Sequence, residues 1–357
     1  MIWCYLFILI FGSLAAFASQ VKRKDGGTYF RPIAFVISYL ILFIFTCFTN
    51  SGDDYESFYL IIDTISWENP IYATSEIGFN YLCLIIKSIV ISPDIVLFIL
   101  KWLTLTILFG ALYLSRNFIS IGFSYLVYVL LYWLPSLFVI PLFLSSALCT
   151  FAFVYYLTKG KRLLPIVLVI LAAQLHMAAY FSAAFYIYLF FLRKKQNYFL
   201  NHILLTTGAL IGSSMITLIV QSLAVSFDNF FYDVYEVSAG GTGLKIIIEY
   251  FVLLIIIFSI RKNNKNHYFN ELVFTFFVFS LSIAIVNFSI NTASRMFFTI
   301  MSFYIIVLSN YCFKRRNKSD LATLLIYTLC LINGILTYRN YTGGPIVYVD
   351  YHFFNPF

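Results

Sequence analysis

The sequence predicts an all-α, polytopic transmembrane protein, and three observations lead there. Apolar residues fill 62% of the 357 positions and charged residues only 11%, where a soluble domain carries about 25% charged residues. Mean hydropathy is +0.90, and the apolar runs reach the roughly 20 residues that a helix needs to cross a bilayer. The short loops between the runs alternate in charge. One set is basic: Lys22, Arg23, Lys24 and Arg31; Lys159, Lys161 and Arg162; Arg193, Lys194 and Lys195; Arg261, Lys262 and Lys265; Lys314, Arg315, Arg316 and Lys318. The other is acidic: Asp53, Asp54, Glu56, Asp63, Glu68 and Glu76, then Asp228, Asp233 and Glu236. Positive loops stay inside, so the acidic set faces outward. The net charge of +8 is thus a topology signal and predicts no nucleic-acid partner.

The elements follow in chain order. Ile2 to Ser19 runs inward with its positive flank behind it, the pattern of a retained helix and not of a cleaved signal. Pro32 to Thr49 returns. In the outer loop 50–76, Tyr55, Phe58, Tyr59, Ile62 and Ile65 recur at helical spacing, which predicts an amphipathic helix on the membrane face. Four apolar segments come next: Ile77 to Ser92, Asp94 to Leu114, Phe118 to Leu134 and Pro141 to Thr158. Four crossings would leave the chain on the wrong side. Ile77 to Ser92 is the shortest and carries Lys87, so it is read as re-entrant or shallow, which puts Arg116 inside. Leu163 to Leu192 is one apolar stretch bracketed by two basic clusters, too long for one span and too short for two. It predicts two short helices meeting at Gln174, Leu175 and His176. Non-helical backbone at membrane depth survives only where protein or a water-filled cavity satisfies it, so that apex should line a cavity open to the outside. Tyr198 to Ser222, Leu244 to Ile260, Tyr268 to Ile290, Met296 to Phe313 and Leu321 to Tyr338 complete about 10–11 membrane segments. They form one integral membrane domain, 1–357, with outer loops at 50–76 and 223–243.

The six cysteines lie in or beside apolar segments without CxxC or Cys/His spacing, which points to packing and to neither disulfides nor metal. No Gly-rich phosphate loop occupies an inner segment, which argues against an ATP-driven transporter. Ionisable residues in apolar surroundings are costly and so mark candidate sites: His176, Arg295, Lys87, Lys101, Glu249 and Glu271. Ala172, Ala173, Ala178 and Ala179 around His176 allow another group to approach closely; a core histidine bonded to a carbonyl is the alternative. Arg295, at an outer mouth, suits two-pronged binding of phosphate, or else anchors its helix at the interface. Asp53, Asp54 and Glu76 could act as bases or bind sugar hydroxyls, although acidic residues in outer loops are commonly just solvated. Lys87 and Lys101 snorkel or pair with Asp94. Gly240, Gly241 and Gly243 precede a helix where an anion could sit, though a flexible loop is the simpler reading. Tyr55, Tyr59, Trp67, Tyr72, Phe230, Phe231, Tyr232 and Tyr235 crowd the two acidic loops. Aromatic faces beside carboxylates suit sugar rings, so a glycan is the expected ligand.

Four short features, in this order, carry a family resemblance: Asp53-Asp54-Tyr55 with Tyr59; Glu76-Ile77-Gly78-Phe79; Gln174-Leu175-His176; and Ser294-Arg295-Met296. With them the chain resembles a Wzy-type O-antigen or exopolysaccharide polymerase of the EpsG-like family, and the span layout matches over nearly the whole chain. Each motif alone is degenerate; order and spacing hold the weight. Many relatives carry an Ile-Arg-Gln-like element before the histidine hairpin, where this chain reads Ile140-Pro141-Leu142-Phe143. A second arginine for a diphosphate clamp is therefore missing, and Arg339 or Lys245 could replace it.

The resemblance implies a GT-C-like, metal-independent glycosyltransferase without a cofactor. It implies polymerisation of undecaprenyl-diphosphate-linked oligosaccharide at the outer face of the bacterial inner membrane, among membrane lipid and beside a flippase and a chain-length regulator. In that reading Arg295 stabilises the departing diphosphate and His176 takes the acceptor proton. Asp54 or Glu76 orients the acceptor or the histidine, and Asp53, Tyr55 and Tyr59 bind glycan. A ligase would share this chemistry. A flippase or other transporter would show internal repeats and a polar path through both leaflets; no repeat is present, and the polar candidates gather on one side.

Overall fold

The computed structural model describes residues 2–22, 28–50, 54–70, 76–191, 243–263, 266–289, 294–315 and 321–342. Helix α1, Ile2–Ala18, and helix α2, Pro32–Cys47, are joined through two short antiparallel strands. Strand β1 is Gln20–Lys22 and strand β2 is Thr28–Phe30, with Gln20 opposite Phe30. The helical reading of the sequence did not foresee this strand pair. Pro32 opens α2 at a position where its missing N–H is not needed.

Helix α3, Asp54–Thr64, is the expected amphipathic helix; it buries Tyr55 and Ile62 and carries Asp54 and Glu56 in the first turn, where the helix dipole favours them. Helix α4, Ile77–Lys87, has 11 residues and is therefore about 16 Å long, half the thickness of a bilayer core. Helices α5, Pro93–Ser115, α6, Ile121–Phe138, and α7, Ile140–Lys159, are each long and apolar enough to cross a membrane. The α6 side chains are buried nearly throughout, as expected of a helix that is apolar all round and sits inside a bundle. Its Trp133 donates from Nε1 to Thr46 Oγ1 of α2 at 3.0 Å. Gly160 ends α7 in the left-handed region at φ 66°, the usual glycine stop.

The stretch after Arg162 is broken as the sequence predicts. Helix α8, Leu163–Leu175, and helix α9, Ala179–Phe191, have 13 residues each, or about 20 Å, and pack on one another. Helices α10, Gly243–Asn263, and α11, His267–Ser289, follow. The span expected from Met296 to Phe313 is not one straight helix: α12, Ser294–Thr299, gives way to a widened π turn, Phe303–Leu308, and then α13, Ser309–Arg315. Helix α14, Leu321–Thr342, closes the bundle, and its Leu321–Asn340 portion is a fourth helix of membrane-crossing length among the described residues. The expected span Tyr198 to Ser222, Asp53 and the loop 223–243 up to residue 242 lie outside the described residues, and Gly243 opens α10.

The main core surrounds α6, with Tyr125, Tyr128, Trp133, Phe153, Tyr186 and Phe303 fully buried or nearly so. A second, smaller core lies beneath α3 and α4 and joins Tyr55, Phe79, Leu100, Leu144 and Leu175. This second core brings the outer helix, the short helix α4 and the end of α8 to one place.

Candidate active site

Helix α8 stops because His176 turns to extended backbone, φ −154° and ψ 132°. The last four carbonyls of any helix lack internal partners, and at membrane depth each one left bare is costly. Ser145 of α7 meets one of them, donating from Oγ to Ala172 O at 2.9 Å. The small buried residues Ala172 and Ala173 allow that approach. The chain then turns through His176 O, which accepts from Ala179 N at 2.9 Å, and α9 begins.

The His176 side chain is 7% exposed, and its Nε2 lies 3.5 Å from Glu76 Oε1. Its Nδ1 accepts the backbone N–H of Ala178 at 3.0 Å. A nitrogen that accepts cannot carry a proton, so the neutral ring holds its proton on Nε2 and aims it at the carboxylate. A doubly protonated ring would set two N–H groups against each other at Nδ1. At 3.5 Å the contact with Glu76 is longer than an ordinary hydrogen bond.

Glu76 stands at the cap of α4, where its carbonyl accepts Asn80 N at 3.1 Å. Its side chain does not cap its own helix but reaches His176, and at 18% exposed it is the more accessible member of the pair. Gly78 makes the encounter possible: a Cβ there would fall 2.6 Å from both Cβ and O of Gln174. Any side chain would therefore push α4 off the last turn of α8. Asn80, wholly buried, donates from Nδ2 to Pro70 O at 2.9 Å and ties the preceding loop to the same helix. Two motifs far apart in sequence, at 76–79 and 174–176, thus form one constellation. Gly78 belongs to the motif at 76–79, and a glycine inside an apolar helical pattern is the signal that marks close packing.

Helix α3 is braced beside this pair. Tyr55 is buried, and its hydroxyl donates to Asp94 Oδ1 of α5 at 2.6 Å. Burial first, and then that bond to a carboxylate, push the phenol well above its ordinary pKa. Lys101 lies with Nζ 5.0 Å from the centre of the Tyr55 ring and donates to Thr49 O at 2.6 Å. Lys87 donates to Ile62 O and Asp63 O at 2.7 Å each and to Ile65 O at 3.2 Å. It thereby fills the open carbonyls at the end of α3, where a cation suits the dipole. Lys87 thus holds α3 through its end carbonyls, Lys101 meets it through the Tyr55 ring while bonding Thr49 O at the end of the preceding segment, and Asp94 is engaged by Tyr55.

Asp54 opens α3 half-buried, and Tyr59 packs part-buried against the smaller core. Arg339 is exposed in the last turn of α14. Arg295 and Lys245 belong to the first turns of α12 and α10; their side chains, like Asp53, lie outside the described residues. Helix α12 packs on both α7 and α9. It is tied to α9 by Ser182 Oγ and Thr299 Oγ1, and Tyr186 OH meets Ser302 Oγ at 2.6 Å just beyond. The segment that carries Arg295 is therefore fastened to the second arm of the histidine hairpin.

The two carboxylates deeper in the bundle have structural partners. Glu249 Oε1 accepts from Asn333 Nδ2 at 2.9 Å and from Tyr304 OH at 3.4 Å. Glu271, 4% exposed, pairs with Arg261 at 2.8 Å. Among the described residues, no group of three or more His, Cys, Asp or Glu is placed to hold a metal ion.

The arrangement offers a carboxylate with a neutral imidazole donating toward it, at the broken apex of a membrane hairpin, next to a braced amphipathic helix. No curated protein and no solved structure matches the chain. The EpsG family profile matches residues 32–352, a range that includes all four sequence motifs and both halves of the Glu76–His176 pair. The chain belongs to the EpsG family, the family of Wzy-like polysaccharide polymerases.

Proposed function

We propose that the protein polymerises oligosaccharide repeats carried on undecaprenyl diphosphate, at the outer face of the bacterial inner membrane, with Glu76 as proton acceptor and His176 as the group that positions it. The observation behind this assignment is the Ala178 N–H donated to His176 Nδ1. It reverses the roles expected from the sequence, where His176 took the proton. Both ring nitrogens are committed, one to the backbone and one toward Glu76, so the carboxylate is the better base.

In the proposed reaction the hydroxyl oxygen of the incoming lipid-linked repeat attacks the anomeric carbon of the nascent chain. The bond from that carbon to the phosphate oxygen breaks, and the diphosphate departs with the electron pair. The hydroxyl proton passes to Glu76. Arg295 supplies the fixed cation that the departing diphosphate requires, which makes a divalent metal unnecessary in this scheme. In this scheme Asp54, at the start of α3, and Tyr59 receive the glycan, and a flippase and a chain-length regulator would work beside the enzyme.

A strain carrying only Glu76→Gln, at matched protein level, tests the assignment. Lipid-linked single repeats should accumulate at the outer face. Accumulation at the inner face would instead identify a flippase, and accumulation of finished polymer on its lipid carrier would identify a ligase.

A further inference from the structure

At the end of the bundle opposite Glu76, a cavity of about 180 Å³ opens among Phe118, Leu157, Asn266, Phe269, Asn310 and Lys314, backed by aliphatic side chains of α11 and the 303–308 turn. Leu157 lies two residues before Lys159, Asn266 follows Arg261 and Lys262, and Lys314 precedes Arg315 and Arg316. The cavity therefore sits where the basic loops converge, which by the charge rule is the cytoplasmic leaflet.

Asn310 is only 8% exposed. Its Nδ2 donates to Phe118 O at 2.6 Å, which fixes the orientation of the amide and leaves Oδ1 as the second atom. That oxygen is buried without a hydrogen-bond partner among the described residues. A buried acceptor of this kind asks for a donor. Lys314 supplies the opposite requirement: its Nζ is held 5.1 Å from the centre of the Phe269 ring, exposed and close to the same cavity. Most of the remaining wall is apolar.

We propose that this cavity binds the headgroup of a glycerophospholipid whose phosphate meets Lys314 and whose terminal N–H or O–H reaches Asn310 Oδ1, with the acyl chains against the apolar wall. Basic pockets between transmembrane helices on the inner side take phosphate headgroups on the same principle. Phosphatidylethanolamine and phosphatidylglycerol fit these demands. Phosphatidylcholine does not, because its trimethylammonium has no hydrogen to donate.

The test uses the purified full-length protein in phosphatidylcholine nanodiscs, into which phosphatidylethanolamine is titrated while the thermal unfolding midpoint is followed. Both lipids are zwitterionic, so a difference between them does not reflect surface charge. Phosphatidylethanolamine should raise the midpoint saturably, and Lys314→Gln and Asn310→Leu should each weaken its apparent affinity by about tenfold, the loss of one good polar contact. Lys314 is exposed, so its variant is expected to fold even if Asn310→Leu does not. Equal midpoints in the two lipids, or an undiminished preference in Lys314→Gln, would overturn the site. A soluble glycerophosphoethanolamine that acts as strongly as the lipid would also overturn it, by showing that a free phosphodiester suffices.

Discussion

At the basic end of the bundle, Gln20 donates from Nε2 to Ile119 O at 3.0 Å and also to Arg116 O, while its Oε1 accepts Ile121 N at 2.7 Å. One turn away, Ser124 Oγ donates to Ile305 O at 2.6 Å, and Ser309 Oγ donates to Ser120 O at 2.9 Å. At the acidic end the corresponding work is done by Glu76, His176, Lys87, Asp94 and Tyr55. Both ends join segments distant in sequence. The first uses uncharged side chains on backbone carbonyls, a cheap and pH-independent way to fix helices where water is scarce. The second places ionisable groups where burial penalises them. At the basic end the buried carboxylate, Glu271, is paired directly with Arg261, whereas Glu76 at the acidic end faces an imidazole. The proposed reaction places its chemistry at the acidic end, with the basic end as frame.

The sharpest way to break this comparison is topological, because its outcome is all or none. If the two ends face opposite sides of the membrane, Glu68→Cys should be labelled from outside by an impermeant thiol reagent, and Lys161→Cys and Lys194→Cys should not. Labelling at 194 would contradict a hairpin with both flanks inside. The next largest effect is expected at Arg295. Arg295→Lys keeps the charge and loses the planar fork, so polymer formation should fall by about 100- to 1000-fold, the typical loss when one preorganised transition-state contact is removed. Wild-type polymer in Arg295→Ala would remove this residue from the site.

Gly78→Val comes third. The overlap with Gln174 should cost about 1–3 kcal/mol, as overpacking does, and should separate Glu76 from His176, so activity per folded molecule drops along with stability. Gln20→Leu should cost a similar 1–3 kcal/mol by stranding buried backbone groups, yet leave the turnover of the folded fraction unchanged. A split of that kind between the two variants would sharpen the contrast, and equal losses of turnover would blur it. Lys87→Met should have the smallest effect, a stability loss of about 1 kcal/mol as cap contacts are lost, read as a slightly lower unfolding midpoint.

Most of the frame was legible in the sequence because membrane solvation leaves a strong record. Helix length, apolar composition and basic flanks located α2, α5, α7, α10 and α14 to within a few residues. The break at His176 was legible for the same reason: an apolar stretch between two inside signals allows few other solutions. The short strands and the break within 294–315 were not. Apolar periodicity continues through that break, and the kink depends on partners such as Tyr186 and Ser302, more than a hundred residues apart in sequence. The meeting of Glu76 with His176 was not legible, because the two lie a hundred residues apart in sequence. His176 was named as a costly group in apolar surroundings and Glu76 only as an outer-loop carboxylate beside aromatics, and the proton on Nε2 follows from one backbone N–H, that of Ala178, which no residue pattern announces. Lys87 and Lys101 likewise gained their tasks from carbonyls of other elements.

In the proposed reaction Glu76 accepts the proton and His176 orients it. The most direct measurement is the polymerisation rate of purified Glu76→Gln and His176→Gln proteins on the same lipid-linked repeat. Glutamine at 176 can still donate an N–H to Glu76 but cannot serve as a base at neutral pH, whereas glutamine at 76 can do neither job of a carboxylate. The account predicts a loss of about 100- to 10,000-fold for Glu76→Gln, the usual range for a missing general base, with His176→Gln retaining at least about a tenth of the wild-type rate, as expected when an orienting hydrogen bond is replaced and not removed. A His176→Gln protein as inactive as that, paired with a Glu76→Gln protein that still polymerises, would contradict it and return the base to the imidazole.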